Sequence, residues 1–164
     1  MILYSFKKFL RQKKNNLYQD KLIIRLNKEH RHLVSLALRI EEAVKNNDLK
    51  LFKSLLRKFE KELELHLLYE DTNLYEHLNS KYRFFDEVKN LISKKQNEMK
   101  DIASCVSSFI ERYKKSENLE NFLKEFSNIK EILLKRIEFE ENILYDIYKN
   151  SYTPNKVLIK LKFN

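Results

Sequence analysis

Apolar residues recur every three or four positions through four long stretches of the chain, which is the period of an amphipathic α-helix. The stretches cover about residues 20–46, 49–78, 82–115 and 117–149. Asn79 and Ser80 interrupt the pattern after the second stretch, whereas Asp48 and Ser116 precede a stretch and suit the N-cap position of a helix. Because the connections are short, the pattern predicts an all-α fold, an up-down four-helix bundle with short N- and C-terminal extensions.

The fourth stretch repeats a signature of the second one. The residues Glu70, Asp71, Leu74 and Tyr75 return 70 positions later as Glu140, Glu141, Leu144 and Tyr145. Amphipathic helices match one another by chance at many apolar positions, but the paired acids at a fixed distance from leucine and tyrosine are harder to obtain by chance. The repeat indicates a duplicated helical hairpin.

The composition narrows the class of protein. The 164 residues include no glycine and one proline, so the glycine-rich loops of nucleotide-binding folds are excluded. The single cysteine, Cys105, cannot form an internal disulfide, and it lies among apolar positions, so we expect a buried thiol in a cytoplasmic protein. No apolar run approaches the roughly 18 residues of a membrane span, and no transmembrane segment is predicted.

The net charge of +9 is concentrated at the two ends of the chain. Residues 1–19 form a basic extension with an apolar stripe, residues 20–150 form the bundle, and residues 151–164 form a basic tail. The two ends carry eight of the nine net charges, so the bundle itself is not expected to bind nucleic acid. We expect residues 1–19 to pack on the bundle, with anionic lipid as the alternative, and the basic ends to contact acidic surfaces or a second copy.

One polar pair lies on an otherwise apolar helix face. In the sequence HLLYEDTNLYEHL, His66 precedes Glu70 by one helical turn, so both side chains point the same way and, by the pattern, inward. Taken alone, a histidine on such a face is more often a hydrogen-bonded core residue than a metal ligand. His32 and His77 lie off this pattern, and we expect them at or near the surface.

Three segments carry a resemblance to a known family. Glu29-His30 in the first stretch, HLLYEDTNLY from His66 and RIEFEENILY from Arg136 resemble the hemerythrin-like (HHE cation-binding) family over about residues 20–149. The resemblance implies a four-helix bundle that holds two non-heme iron ions with histidines and two bridging carboxylates. The matching positions in this chain are His30, His66, Glu70 and Glu140.

The remaining ligand positions of that family are changed. Met99 stands where the third helix would supply histidine, and Arg136 stands where the fourth helix would begin its motif with histidine. An intact di-iron centre is therefore not expected. Two alternatives stay open: a single iron or zinc ion held by the remaining ligands, or a metal-free polar core in which Arg136 is the countercharge for the glutamates.

Two functional hypotheses follow. No nucleophile lies beside a base with a supporting acid, so the chain is not expected to be an enzyme, and reversible oxygen carriage needs two irons. The first hypothesis is a cytoplasmic regulatory or sensor module that binds at most one metal ion. The second is a metal-free adaptor for a protein partner, because the segment KLIIR from Lys21 and the following EHRHLV are also similar to the regulator-of-sigma-D anti-sigma family, which implies a sigma factor of RNA polymerase as the partner.

Overall fold

The computed structural model describes residues 21–151, which fold into four helical rods. The first rod is α1, the second is α2 continued by α3, the third is α4, and the fourth is α5 continued by α6. Their bounds are α1 Lys21–Lys45, α2 Leu49–Glu70, α3 Glu76–Lys81, α4 Asp86–Lys115, α5 Phe122–Phe139 and α6 Tyr145–Lys149. No strand occurs in this part of the chain. The predicted all-α four-helix bundle is confirmed.

The turn between α1 and α2 shows how a short polar sequence reverses the chain. Asn47 adopts a positive φ of 55°, a conformation that asparagine tolerates better than most residues. The Asp48 carboxylate then accepts a hydrogen bond of 2.9 Å from the backbone N–H of Leu51. Asp48 is therefore the N-cap of α2, as the sequence predicts.

Replacing Asp48 by alanine should lower the free energy of unfolding by about 1 kcal/mol, since it leaves an amide of the first turn without its partner. Urea denaturation followed by circular dichroism measures the change. Asp101→Ala is the control, because Asp101 is exposed in the middle of α4, where alanine has the higher helix propensity. A loss that is equal in the two variants would contradict the capping role.

Two predicted helix boundaries are wrong, the first because of tertiary packing and the second because of a local turn. Asn79 and Ser80 do not interrupt the second rod; they lie within α3, which ends at Lys81. The next residue, Tyr82, is buried, and its hydroxyl donates to the carbonyl of Ile147 at 3.0 Å. The fourth rod begins at Phe122 and not near residue 117, because the Ser116 hydroxyl bonds to the backbone of Asn118 and closes a separate turn.

Each of the second and fourth rods contains one turn of π-helix. These turns span Asp71–Tyr75 and Glu140–Leu144, and in both the backbone N–H after the turn bonds to the carbonyl five residues earlier. The turns fall on the repeated acid, leucine and tyrosine signature. The two halves of the bundle thus share a backbone irregularity as well as a sequence pattern, which supports the predicted duplicated hairpin.

The core consists of two apolar clusters at opposite ends of the bundle. The larger one contains an aromatic group from three rods, formed by Phe52, Phe59, Phe109, Tyr113, Phe122 and Phe126. The smaller one gathers Leu22, Ile23, Leu26, Leu74, Tyr75, Leu78, Tyr82, Val88, Ile92, Leu144, Tyr145 and Ile147. The site described below lies between the two clusters and contains the buried polar residues His30, His66, Glu70, Arg136 and Glu140.

The prediction of a buried Cys105 is wrong. Its side chain is exposed on α4, whereas the buried positions of this helix are Val88, Ile92, Met99, Val106, Phe109, Ile110 and Tyr113. Position 105 lies beside the apolar stripe of the helix and not on it. In the sequence, the adjacent apolar Val106 made position 105 look like part of the stripe.

The expectations for the two ends of the chain remain predictions. The basic extension 1–19 and nearly all of the tail 151–164 lie outside the described residues. Ser151, which the sequence pattern groups with the tail, is buried, and its hydroxyl oxygen lies 2.9 Å from Nε2 of His77. Between residues 21 and 151, no helix has both the length and the apolar character that crossing a membrane requires.

Candidate metal centre

Two histidines face each other in the middle of the bundle. His30 lies on α1 and His66 lies on α2, and the antiparallel packing of these helices brings their Nε2 atoms to 3.2 Å. Both residues are buried, with 1% and 5% of their surfaces exposed. Two nitrogen atoms at this distance repel each other unless a proton or a metal ion lies between them.

The opposite nitrogen of each ring is held by a carboxylate. Nδ1 of His30 lies 3.1 Å from Oε1 of Glu141, and Nδ1 of His66 lies 3.0 Å from Oε2 of Glu29. A carboxylate accepts the Nδ1–H and so directs the Nε2 lone pair inward, which is the usual arrangement around metal-binding histidines. Arg25 supports Glu29 in turn, through a hydrogen bond of 2.7 Å to its other oxygen.

Glu140 lies between the histidine pair and a buried arginine. Its Oε2 atom is 3.2 Å from Nε2 of His30, and its Oε1 atom accepts a hydrogen bond from Nε of Arg136. The guanidinium also donates to the Tyr75 hydroxyl and, over 3.0 Å, to the backbone carbonyl of Lys95. Arg136 therefore joins three of the four rods, and it carries the positive charge that this side of Glu140 requires.

The pKa values of the two glutamates of the site are shifted in opposite directions. Burial and the charge of Glu140 raise the pKa of Glu70 well above its usual range, which favours the protonated form of this carboxyl group. Burial would also raise the pKa of Glu140, but the hydrogen bond from His30 and the charge of Arg136 outweigh it, so the pKa is lowered and Glu140 is ionised. Oε1 of Glu70 and the hydroxyl of Tyr145 are buried without a hydrogen-bond partner among residues 21–151.

The two imidazoles also differ in charge. Burial alone would lower the pKa of His30, but its hydrogen bonds to Glu140 and Glu141 raise the pKa to about 9. Burial lowers the pKa of His66, and the hydrogen bond to Glu29 does not fully compensate for it. Without a metal, His30 is thus protonated and His66 is neutral near pH 7, so a proton on His30 Nε2 lies within reach of both His66 and Glu140.

The geometry fits one metal ion. Among residues 21–151, the ligand atoms of His30, His66 and Glu140 form a group within 4.8 Å of one another. Ligand bonds of about 2.0–2.1 Å in a tetrahedron place neighbouring ligands about 3.3–3.4 Å apart, close to the two observed separations of 3.2 Å. Two imidazoles and a carboxylate suit iron or zinc. Glu70 is buried beside this group but is not part of it.

A small cavity adjoins the three ligand residues. Its volume is about 40 Å³, and its walls are mainly leucine, valine and isoleucine side chains, with Met99 among them. Met99 is buried, as core packing requires. A second cavity of about 230 Å³ between α2 and α4 is lined by Glu70, Tyr75 and Gln96, and it shares Leu67 and Met99 with the first.

The structure brings together most of the residues that the sequence singles out. His30, His66, Glu140 and Arg136 converge, while His32 is exposed and His77 is partly buried outside the site, as expected. The sequence analysis missed the roles of Glu29 and Glu141 as partners of the imidazoles. Their positions next to His30 and Glu140 were a usable signal, whereas nothing in the sequence marks the carbonyl of Lys95.

Comparison with known proteins agrees with this geometry. The family model described as the hemerythrin HHE cation binding domain matches residues 21–148, which include every side chain of the site. No curated protein and no solved structure matches the chain. Because the match extends over most of the chain, this protein belongs to the hemerythrin HHE cation-binding family.

Proposed function

We propose that this protein is a non-catalytic regulatory or sensor module that binds one iron or zinc ion through His30, His66 and Glu140. The observation that carries the proposal is the pair of inward-facing Nε2 atoms 3.2 Å apart, with Oε2 of Glu140 at the same distance from one of them. Each imidazole is already held in its ligand orientation by a carboxylate. The cation-binding family to which the chain belongs supports the same reading.

A sensing role is supported by the origin of the ligands. His30 belongs to the first rod, His66 to the second and Glu140 to the fourth, so an ion would tie three rods together. Binding or loss of the ion would change how tightly these rods are held, and a partner that contacts the bundle surface would detect the change. The cytoplasmic location and the absence of catalysis remain predictions from the sequence.

Protein purified without oxygen and without added chelator should contain close to one iron or zinc ion per chain. His66→Ala should reduce the content to background, because the remaining imidazole and carboxylate are two ligands and not three. Inductively coupled plasma mass spectrometry measures the content, and circular dichroism shows whether the variant is folded. His32→Ala is the matched control, since His32 is an exposed histidine on the same helix as His30.

Equal metal contents in the wild type and in His66→Ala would contradict the proposal. Background metal in both proteins would contradict it too, and would favour the second candidate.

That second candidate is a metal-free adaptor for a protein partner. The observation in its favour is that the buried Glu140 carboxylate has positive partners without a metal, because Oε1 is paired with Arg136 and Oε2 lies 3.2 Å from Nε2 of His30, whose pKa is raised to about 9. The sigma factor that the fainter sequence resemblance implies is the partner to test. Calorimetric titration of the chelator-treated bundle with a purified major sigma factor should then show binding that is unchanged in His66→Ala.

A further inference from the structure

Arg136 is buried to a degree that is rare for arginine. Its side chain is 5% exposed, and its guanidinium donates hydrogen bonds to the Glu140 carboxylate, the Tyr75 hydroxyl and the Lys95 carbonyl. These groups lie on the fourth, second and third rods. Burial and hydrogen bonds to three rods therefore hold the guanidinium in this position.

The guanidinium donates a hydrogen bond to one of the two oxygens of the Glu140 carboxylate. Oε2 remains directed towards the histidines, while Oε1 is bound by Arg136. A carboxylate with both oxygens free can bridge two cations, but a permanent positive charge on Oε1 repels a second ion and fills its position.

We infer that Arg136 is the specificity-determining residue that limits this centre to a single metal ion and positions Glu140 to bind it. The inference rests on the proposed function only for the first ion. Without the guanidinium, oxygens of Glu140, Glu70 and Tyr75 would remain together in a buried space. Such a set of oxygen ligands suits a hard divalent cation.

The test counts ions in three proteins: the wild type, Arg136→Gln, which removes the charge, and Arg136→Lys, which keeps it. The probe is Mn²⁺ alone, added to chelator-treated full-length protein, with bound ions counted by electron paramagnetic resonance. We expect one ion in the wild type and in Arg136→Lys. Arg136→Gln should gain a second ion, with the exchange-coupled spectrum of a manganese pair.

A merely structural role of Arg136 predicts a different result. Arg136→Gln would then lose stability but would bind the same number of ions as the wild type, and that outcome would overturn the inference. If Arg136→Gln is unfolded without metal, Arg136→Leu provides a second neutral side chain that offers no metal ligand, and both variants are refolded with Mn²⁺ present. A count in the refolded variants that does not exceed the wild-type count would again overturn the inference.

The same experiment separates this inference from the proposed function. A wild type that binds no ion would contradict the proposed function, yet one ion in Arg136→Gln against none in the wild type would still support the role of Arg136. One ion in all the proteins would leave the proposed function standing and reject the inference.

Discussion

Replacing Lys130 by methionine should lower the free energy of unfolding by about 3 kcal/mol, because it leaves a buried carboxylate without its countercharge. Lys130 on α5 forms an ion pair with Glu41 on α1, and the two side chains are 4% and 10% exposed. Methionine has a similar length and is apolar, so the packing of the stem is nearly conserved. The loss therefore reports mainly the unpaired charge of Glu41, with a smaller part from the lost contact of the Lys130 ammonium with the Phe126 ring, 5.9 Å from its centroid.

The comparison that isolates this effect uses two further proteins. Lys135→Met on the same helix removes an exposed pair with Glu131 and should cost less than about 0.5 kcal/mol. The double variant Glu41→Met with Lys130→Met should recover most of the stability, since a buried ion pair and a well-packed apolar pair differ little in free energy. Urea denaturation of the metal-free proteins measures all three. A loss in Lys130→Met no larger than that in Lys135→Met would contradict the prediction.

The sequence predicts the helices and their buried faces well, because hydrophobic periodicity is a local property. Leu26, Phe52, Leu56 and Phe126 all lie on predicted apolar faces, and all are fully buried. The helix ends are predicted less well. Asn79 and Ser80 are poor helix formers, but the buried Tyr82 and its bond to the Ile147 carbonyl come from tertiary packing that no local signal shows.

The π-helical turns could not be read from the periodicity. A single inserted residue rotates the apolar stripe by less than one third of a helical turn. Hydrophobic periodicity is judged over several turns, so one such shift does not change the predicted period. The structure shows what the insertion does in each rod. It follows Glu70 in one rod and begins at Glu140 in the other; the buried Tyr75 is the last residue of the first turn, and the buried Tyr145 directly follows the second.

The site illustrates the limit of single-sequence reasoning most clearly. His30 and Glu141 are 111 residues apart, and Glu41 and Lys130 are 89 residues apart. The convergence of His30, His66 and Glu140 was expected from the family resemblance and not from spacing, since spacing does not fix how one helix is aligned with another. The ion pair of Glu41 and Lys130 has no counterpart in that resemblance and was not predicted at all.

The arrangement of charges explains how the same bundle can exist with and without an ion. The buried polar residues of the site lie between two apolar clusters. Buried glutamates without a positive partner at this position would destabilise the packing of the rods. Arg136 and the proton on His30 provide the positive charge that Glu140 needs. A metal ion that binds therefore replaces the proton on His30, and the bundle does not require the ion for its stability.

Binding of the metal should consequently strengthen about tenfold for each unit of pH between pH 7 and pH 8.5. The pKa of His30 is raised to about 9, so its ligand nitrogen carries a proton over this range, and that proton must leave before the metal binds. His66, whose pKa is lowered, and Glu140, which is ionised, have no proton to lose. One proton is therefore released per ion below pH 9, and the affinity becomes constant above it.

Calorimetric titration of chelator-treated protein with Zn²⁺, in buffers of different ionisation enthalpy, gives the number of protons released. We expect close to one at pH 7.5 for the wild type. Glu141→Gln should release fewer protons per ion, because removing the carboxylate charge beside Nδ1 lowers the pKa of His30. The metal affinity of this variant should therefore stop rising at a lower pH than that of the wild type. Proton release that is the same in both proteins would show that Glu141 does not control the charge of His30. Release near zero in the wild type would show that His30 is already neutral, and the affinity would then depend little on pH.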